Sequence, residues 1–161
     1  MAQPVPTSPS QPQSVVLDTN VILDLLVFDD PIARPLGHAL TAGQLTAWAD
    51  RQTLQELEWV LPMPSFKLDE AARQAVLSRY RGLVQMAPDG DLSPLPTLPR
   101  CRDRDDQKFL ILAARIGSAW LVSKDKRVLS LADRRDLPFV IFTPKQAVQA
   151  LARITGAAPS P

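Results

Sequence analysis

The residues that staple or clip small folds are nearly missing from this sequence. Its 161 residues include one cysteine, Cys101, and one histidine, His38. A single thiol excludes an intramolecular disulfide framework. With no Cys/His cluster, a structural zinc site is not expected. Glycine is scarce, at six residues, and none belongs to a Gly-rich loop of the kind that cradles nucleotide phosphates. Nothing supports lipid or haem binding either. Long apolar runs are absent, and no stretch approaches the roughly 20 residues that span a bilayer. Met1 to Ser14 carries neither a basic cluster nor the apolar segment of a secretory signal. These gaps lead to the expectation of a cytoplasmic protein with no membrane contact. The net charge of +1 decides nothing about nucleic acid, because binding depends on where the charge lies.

What is present suits one domain. Hydrophobic residues make up 45% of the chain, enough for one ordinary core. Residues 1–13 are rich in Pro, Gln and Ser and bury too little to offset their ordering entropy, so a disordered tail is expected there, with a second tail at 155–161. Between them, 14–154 reads as a single domain of alternating strands and helices. Ser14–Leu17 reads as a buried strand ending at Asp18, followed at once by a helix from Asn20 to Phe28. Helices are expected at Ile32–Ala42, Arg51–Leu61, Asp69–Met86, Asp103–Ile116, Asp125–Ala132 and Pro144–Ile154. Strands are expected at Leu45–Ala49, Ala119–Ser123 and Leu137–Phe142. Pro88 to Arg100 reads as a loop. The alternation predicts a three-layer α/β/α sandwich around a mostly parallel sheet of four to five strands. In such sheets ligands bind beyond the carboxyl ends of the strands, where Asp18, Ser123 and Asp125 fall.

Four acids draw attention, and each has a plain alternative. Asp18 serves equally well as a helix cap, although an acid ending a buried strand is costly unless it is paired or binds metal; Asn20 and Thr19 are available to cap in its place. Glu56 lies beside the buried stripe Leu54, Leu57 and Leu61, yet most helical glutamates are simply solvated. Asp103, Asp105 and Asp106 crowd one helix start, where the helix dipole favours acids. Asp106 differs from its neighbours because Phe109, Leu110 and Ala113 put it on the buried face, while Asp103 suits an N-cap. Asp125 follows a strand and is also a natural cap. Convergent carboxylates suit hard cations such as Mg²⁺ or Mn²⁺, which activate water and neutralise phosphate charge. Arg100, Arg102, Arg104, Lys108, Lys124, Lys126 and Arg127 flank the acids. They fit a phosphate backbone or, equally, an ordinary charged surface.

In this order, these residues resemble the PIN-domain family of ribonucleases, and within it the branch described as toxins of toxin–antitoxin pairs. The matching segments are Asp18-Thr19-Asn20, Glu56-Leu57, Arg102 through Leu110, and Ser123-Lys124-Asp125, within a similarity covering about residues 14–152. The resemblance implies that Asp18, Glu56, Asp106 and Asp125 hold one or two Mg²⁺ or Mn²⁺ ions, supported by Asn20, Ser123 and Asp103. It implies an RNA substrate contacted by Arg102, Arg104, Lys108, Lys124 and Arg127, with a cognate antitoxin and a second copy of the chain as partners. One position departs from the pattern: many relatives carry an acid two residues after the one matching Asp125, where this chain has Arg127. That departure motivates the alternative of a catalytically weak RNA- or partner-binding module. A phosphatase using Asp18 as nucleophile would want a second acid at the position of Asn20.

Overall fold

The structure is a computed structural model that describes residues 11–88, 99, 106–117 and 119–156. Its elements in chain order are β1 (Gln13–Leu17), α1 (Thr19–Leu26), α2 (Arg34–Thr41), β2 (Leu45–Ala49), α3 (Arg51–Val60), α4 (Glu70–Leu83), β3 (Val84–Met86), α5 (Gln107–Ile116), β4 (Trp120–Val122), α6 (Lys126–Leu129), β5 (Val140–Phe142) and α7 (Pro144–Thr155), with a short 3₁₀ turn at Pro64–Phe66. The five strands form one all-parallel sheet in the order β3-β2-β1-β4-β5.

Strand β1 explains the layering. Val15, Val16 and Leu17 are all buried, as a strand covered on both faces requires. Successive side chains point to opposite faces. Val15 and Leu17 accordingly join one core with residues of α1, α2, α3, α4 and α7. Val16 joins the other, against Phe109, Leu110, Leu112 and Ala113 of α5 and Val128 of α6. Each large apolar side chain fully buried this way contributes roughly 1.5–3 kcal/mol. This is the expected α/β/α sandwich.

The expected helix to Met86 stops early. Helix α4 ends at Leu83, and Val84 turns to extended backbone with φ −109° and ψ 153°. Val84, Gln85 and Met86 then pair with Ala47, Trp48 and Ala49 as a short edge strand. Helical spacing runs unbroken into these three residues, while a β-branched Val with a buried side chain gains more from the open edge of β2 than from another helical turn.

The strand order places a reversal beside β1. The chain crosses from β1 to β2 on one side, and later lays β4 against the other side of β1, with Leu17 opposite Val122. Crevices at such a switch point, outside the strands' carboxyl ends, are where open α/β sheets bind ligands.

Candidate active site

Asp18 and Ser123 each follow one residue of the Leu17–Val122 pair, so the sheet sets them side by side. The ladder continues through Asp18, whose N–H donates to the Val122 carbonyl at 3.1 Å. Asp18 is 3% exposed and Ser123 fully buried. The Ser123 hydroxyl donates to Asp18 Oδ2 and accepts from the Asp125 N–H at 3.0 Å. One hydroxyl thus links two of the expected acids.

Asp18 also caps α1, its Oδ1 accepting from the Val21 N–H at 3.1 Å. The expectation that Asn20 would take over this cap is not met: the helix opens at Thr19, and Asn20 is exposed within its first turn. Capping and a functional role are compatible here because the two carboxylate oxygens are used differently. Burial pushes the Asp18 carboxyl above its ordinary value. Hydrogen bonds from Ser123, Val21 and the Lys124 backbone oppose the shift, and the nearby charge of Asp125 adds to it. Asp125 is in turn the cap of α6, accepting from the Arg127 N–H at 2.8 Å. Arg127 itself is exposed.

Glu56 reaches the same rim from α3. The Thr19 hydroxyl donates to Glu56 Oε2, and Lys108 Nζ lies 2.9 Å from Glu56 Oε1, both side chains being under one-fifth exposed. Thr19 adjoins Asp18 in the chain, so these bonds tie α1, α3 and α5 together beside it. Asp106 stands at the N-terminus of α5 without capping it through its side chain, and its Oδ2 is buried. Phe109, Leu110 and Ala113, all fully buried on the sheet, fix that end of α5.

Lys124 is held from the far side of α1, with its Nζ 2.9 Å from Asp24 Oδ2. This bond keeps the Lys124 ammonium charged to higher pH than usual, helped by Asp30 and Asp18. Reading the sequence did not single out Asp24. A lone acid in the apolar run Val21 to Leu26 was its only local signal, and its partner lies 100 residues away. Asp50, buried at the carboxyl end of β2, is a structural counterpart. It forms a capping box with Thr53 and opens α3.

Asp103, Arg102 and Arg104 lie outside the described residues, as do Arg100, Cys101 and Asp105. Among the described residues, no three His, Cys, Asp or Glu side chains are grouped closely enough to hold a metal ion. The acids still supply only hard oxygen donors, the chemistry Mg²⁺ prefers, and Mg²⁺ usually takes one or two carboxylates and completes its shell with water and phosphate.

A family model described as PIN domain matches residues 14–127, from the second residue of β1 to the second residue of α6. A comparison with curated proteins returned no match.

Proposed function

This chain belongs to the PIN-domain family, whose members are generally nucleases, and from that premise we propose that it is a metal-dependent endoribonuclease. The observation that carries the reading is the placement of Asp18: a buried acid, with a raised pKa, at the switch point of the sheet, bonded to Ser123 and close to Asp125. A buried carboxylate so placed costs stability and is the kind of perturbed group that marks functional sites.

On this reading Asp18, Asp106 and Asp125 are the carboxylates that hold Mg²⁺ or Mn²⁺, with Glu56 at the same rim. A bound ion of this kind supplies charge neutralisation at the phosphate and acidifies a water molecule. The protein's own groups do the remaining work. Ser123 fixes the Asp18 carboxylate in one orientation and leaves it an acceptor. Thr19 and Lys108 hold Glu56 in place, so the Lys108 ammonium stays at the rim where a phosphate would lie. With Arg127 at the position of a further acid, one ion is the stoichiometry we favour; Asn20 and Asp103 are assigned with Ser123 as groups supporting the carboxylates, and Arg102, Arg104, Lys124 and Arg127 to the margins of the RNA path. Finer assignments rest on the family branch it resembles: the toxin of a toxin–antitoxin pair, acting in the cytoplasm, with an antitoxin and a second copy as partners. The exposed Trp59, Met63 and Phe28 would suit a partner chain. The single domain at 14–154 belongs to the same proposal.

Incubating the purified chain with a mixed RNA pool and Mg²⁺ or Mn²⁺, beside an EDTA control and Asp18→Asn, tests it. Cleavage that needs the ion and disappears in the variant supports the nuclease. RNA binding unaffected by chelator, with no turnover, would instead favour a binding module, the reading that Arg127 motivates.

A further inference from the structure

The carboxyl edge of the sheet continues past the acidic site. Beyond the ends of β4 and β5 lies a cleft of about 190 Å³, bounded by Asp24 on α1, the loop Asp30–Ala33, and Thr143–Lys145 at the start of α7. Its remaining wall is Lys124, the residue between Ser123 and Asp125. The cleft is therefore one side chain away from Asp18.

Its walls are built. Lys124 is bonded to Asp24 at 2.9 Å. The Asp30 N–H donates to the Asp24 carbonyl at 2.9 Å, and Asp30 Oδ1 accepts from the Ile32 N–H at 2.9 Å. These bonds fix the loop against α1 and present Ile32, 57% exposed, at the opening. Pockets that hold a whole small ligand run to roughly 300–1,000 Å³. A cleft of this size takes part of a larger one.

Three chemistries meet there. Ile32, Ala33 and Pro144 offer apolar contact to a flat ring. Lys145 and Lys124 offer cations to a phosphate. Asp24 is taken up by Lys124, which leaves Asp30 as the carboxylate facing a base; a carboxylate accepts hydrogen bonds and so favours a base edge with an amino group, as carboxylates accept from the cytosine amine. Uracil has a carbonyl oxygen in place of that amine, and its one donor on this edge, N3–H, is flanked on both sides by carbonyl oxygens that repel a carboxylate. We propose that this cleft seats the nucleotide beside the scissile phosphate and selects a base with an exocyclic amino group over uracil. The proposal rests on the nuclease reading for its ligand, though not for its measurement.

Fluorescence anisotropy of labelled oligocytidine and oligouridine in EDTA measures binding apart from cleavage. The wild-type chain should bind oligocytidine about tenfold more tightly than oligouridine. Lys145→Glu and Ile32→Asp, both at exposed positions, should each weaken oligocytidine binding about tenfold. Arg153→Glu, the same charge reversal in the last turn of α7, should change it less than threefold. Asp30→Asn keeps a carbonyl to accept from Ile32 while replacing an acceptor with a donor, and should shrink the preference for cytidine. Cleft variants that bind like wild type, or equal binding of the two oligomers, would overturn the subsite even if metal-dependent cleavage is found. Binding that follows the cleft variants without any cleavage would support the subsite and sink the nuclease. Absence of binding to either oligomer overturns the subsite, and the nuclease is then judged by the cleavage assay alone.

Discussion

Burial raises the Asp18 carboxyl, and the donors Ser123, Val21 and Lys124 lower it only in part. The consequence for stability has a definite sign. In the folded chain the group's pKa lies above its ordinary value of 3.8, so between the two values the folded state binds more protons than the unfolded one, and stability falls as pH rises through that window. At neutral pH the burial of Asp18 is thus a cost to the metal-free protein. Asp18→Asn should remove it while destroying the proposed activity. In EDTA at neutral pH the variant should melt about 2–4 °C higher, the response of a chain of this size to roughly 1 kcal/mol, and the gain should vanish in melts run below the ordinary carboxylate pKa. A variant that melts lower than wild type at neutral pH would show that Asp18 is held for stability. The burial itself was only half legible in the sequence. An acid ending a strand of Val, Val and Leu announces a buried junction, but Ser123 Oγ reaches it across 105 residues, and only the β1–β4 pairing makes them neighbours. Asp24 was illegible for the same reason.

Elements were legible where one pattern filled them. β1, β2, β4 and β5 follow short apolar runs, and Pro144 and Gly156 bracket α7 as helix-start and helix-stop residues should. β3 was not, because three residues hold less than one helical turn of pattern, and its strand character comes from β2 beside it. Trp59 on α3 is 65% exposed, whereas Tyr80 on α4 is buried and its phenol is pushed to higher pKa by that burial. Element boundaries also carry the site. α3 starts where Asp50 accepts from the Thr53 N–H at 2.8 Å, and that start sets the turn from which Glu56 projects. Asp50→Ala should cost about 1 kcal/mol, within the range of about 0.5–2 for lost caps, seen as a lower urea midpoint at unchanged slope. An unchanged midpoint would mean that Thr53 and the packing of Leu57 hold the helix start without the cap.

At the scale of the whole molecule, the sheet gathers weak signals into one place. Asp18, Ser123 with Asp125, and the Thr143 that caps α7 all sit at carboxyl ends of parallel strands, and α5 brings Asp106 and Lys108 to the same edge from the other core. Each acid taken singly suits a cap, and Asp18 and Asp125 are caps; their shared edge follows from topology, which no local pattern states. A site made this way couples ligand binding to the entire fold, because Asp18 before α1, Glu56 on α3, Asp106 before α5 and Asp125 before α6 reach one edge only when the sheet is formed. An ion that binds the folded chain and not the unfolded one stabilises it by mass action. Mg²⁺ or Mn²⁺ at a hundred times its Kd should therefore add about 2.7 kcal/mol, a rise in Tm of roughly 5–10 °C that EDTA reverses. Asp18→Asn and Asp106→Asn should abolish the rise, while Asp69→Asn, the cap of the distant α4, should keep it. This melting experiment needs no RNA and no turnover, so it tests the carboxylates as ion holders independently of whatever the site cleaves. An equal rise in wild type and Asp18→Asn would place the ion elsewhere on the molecule, and no rise at all would leave Asp18 as a buried acid whose cost must be met by Ser123 and the caps alone.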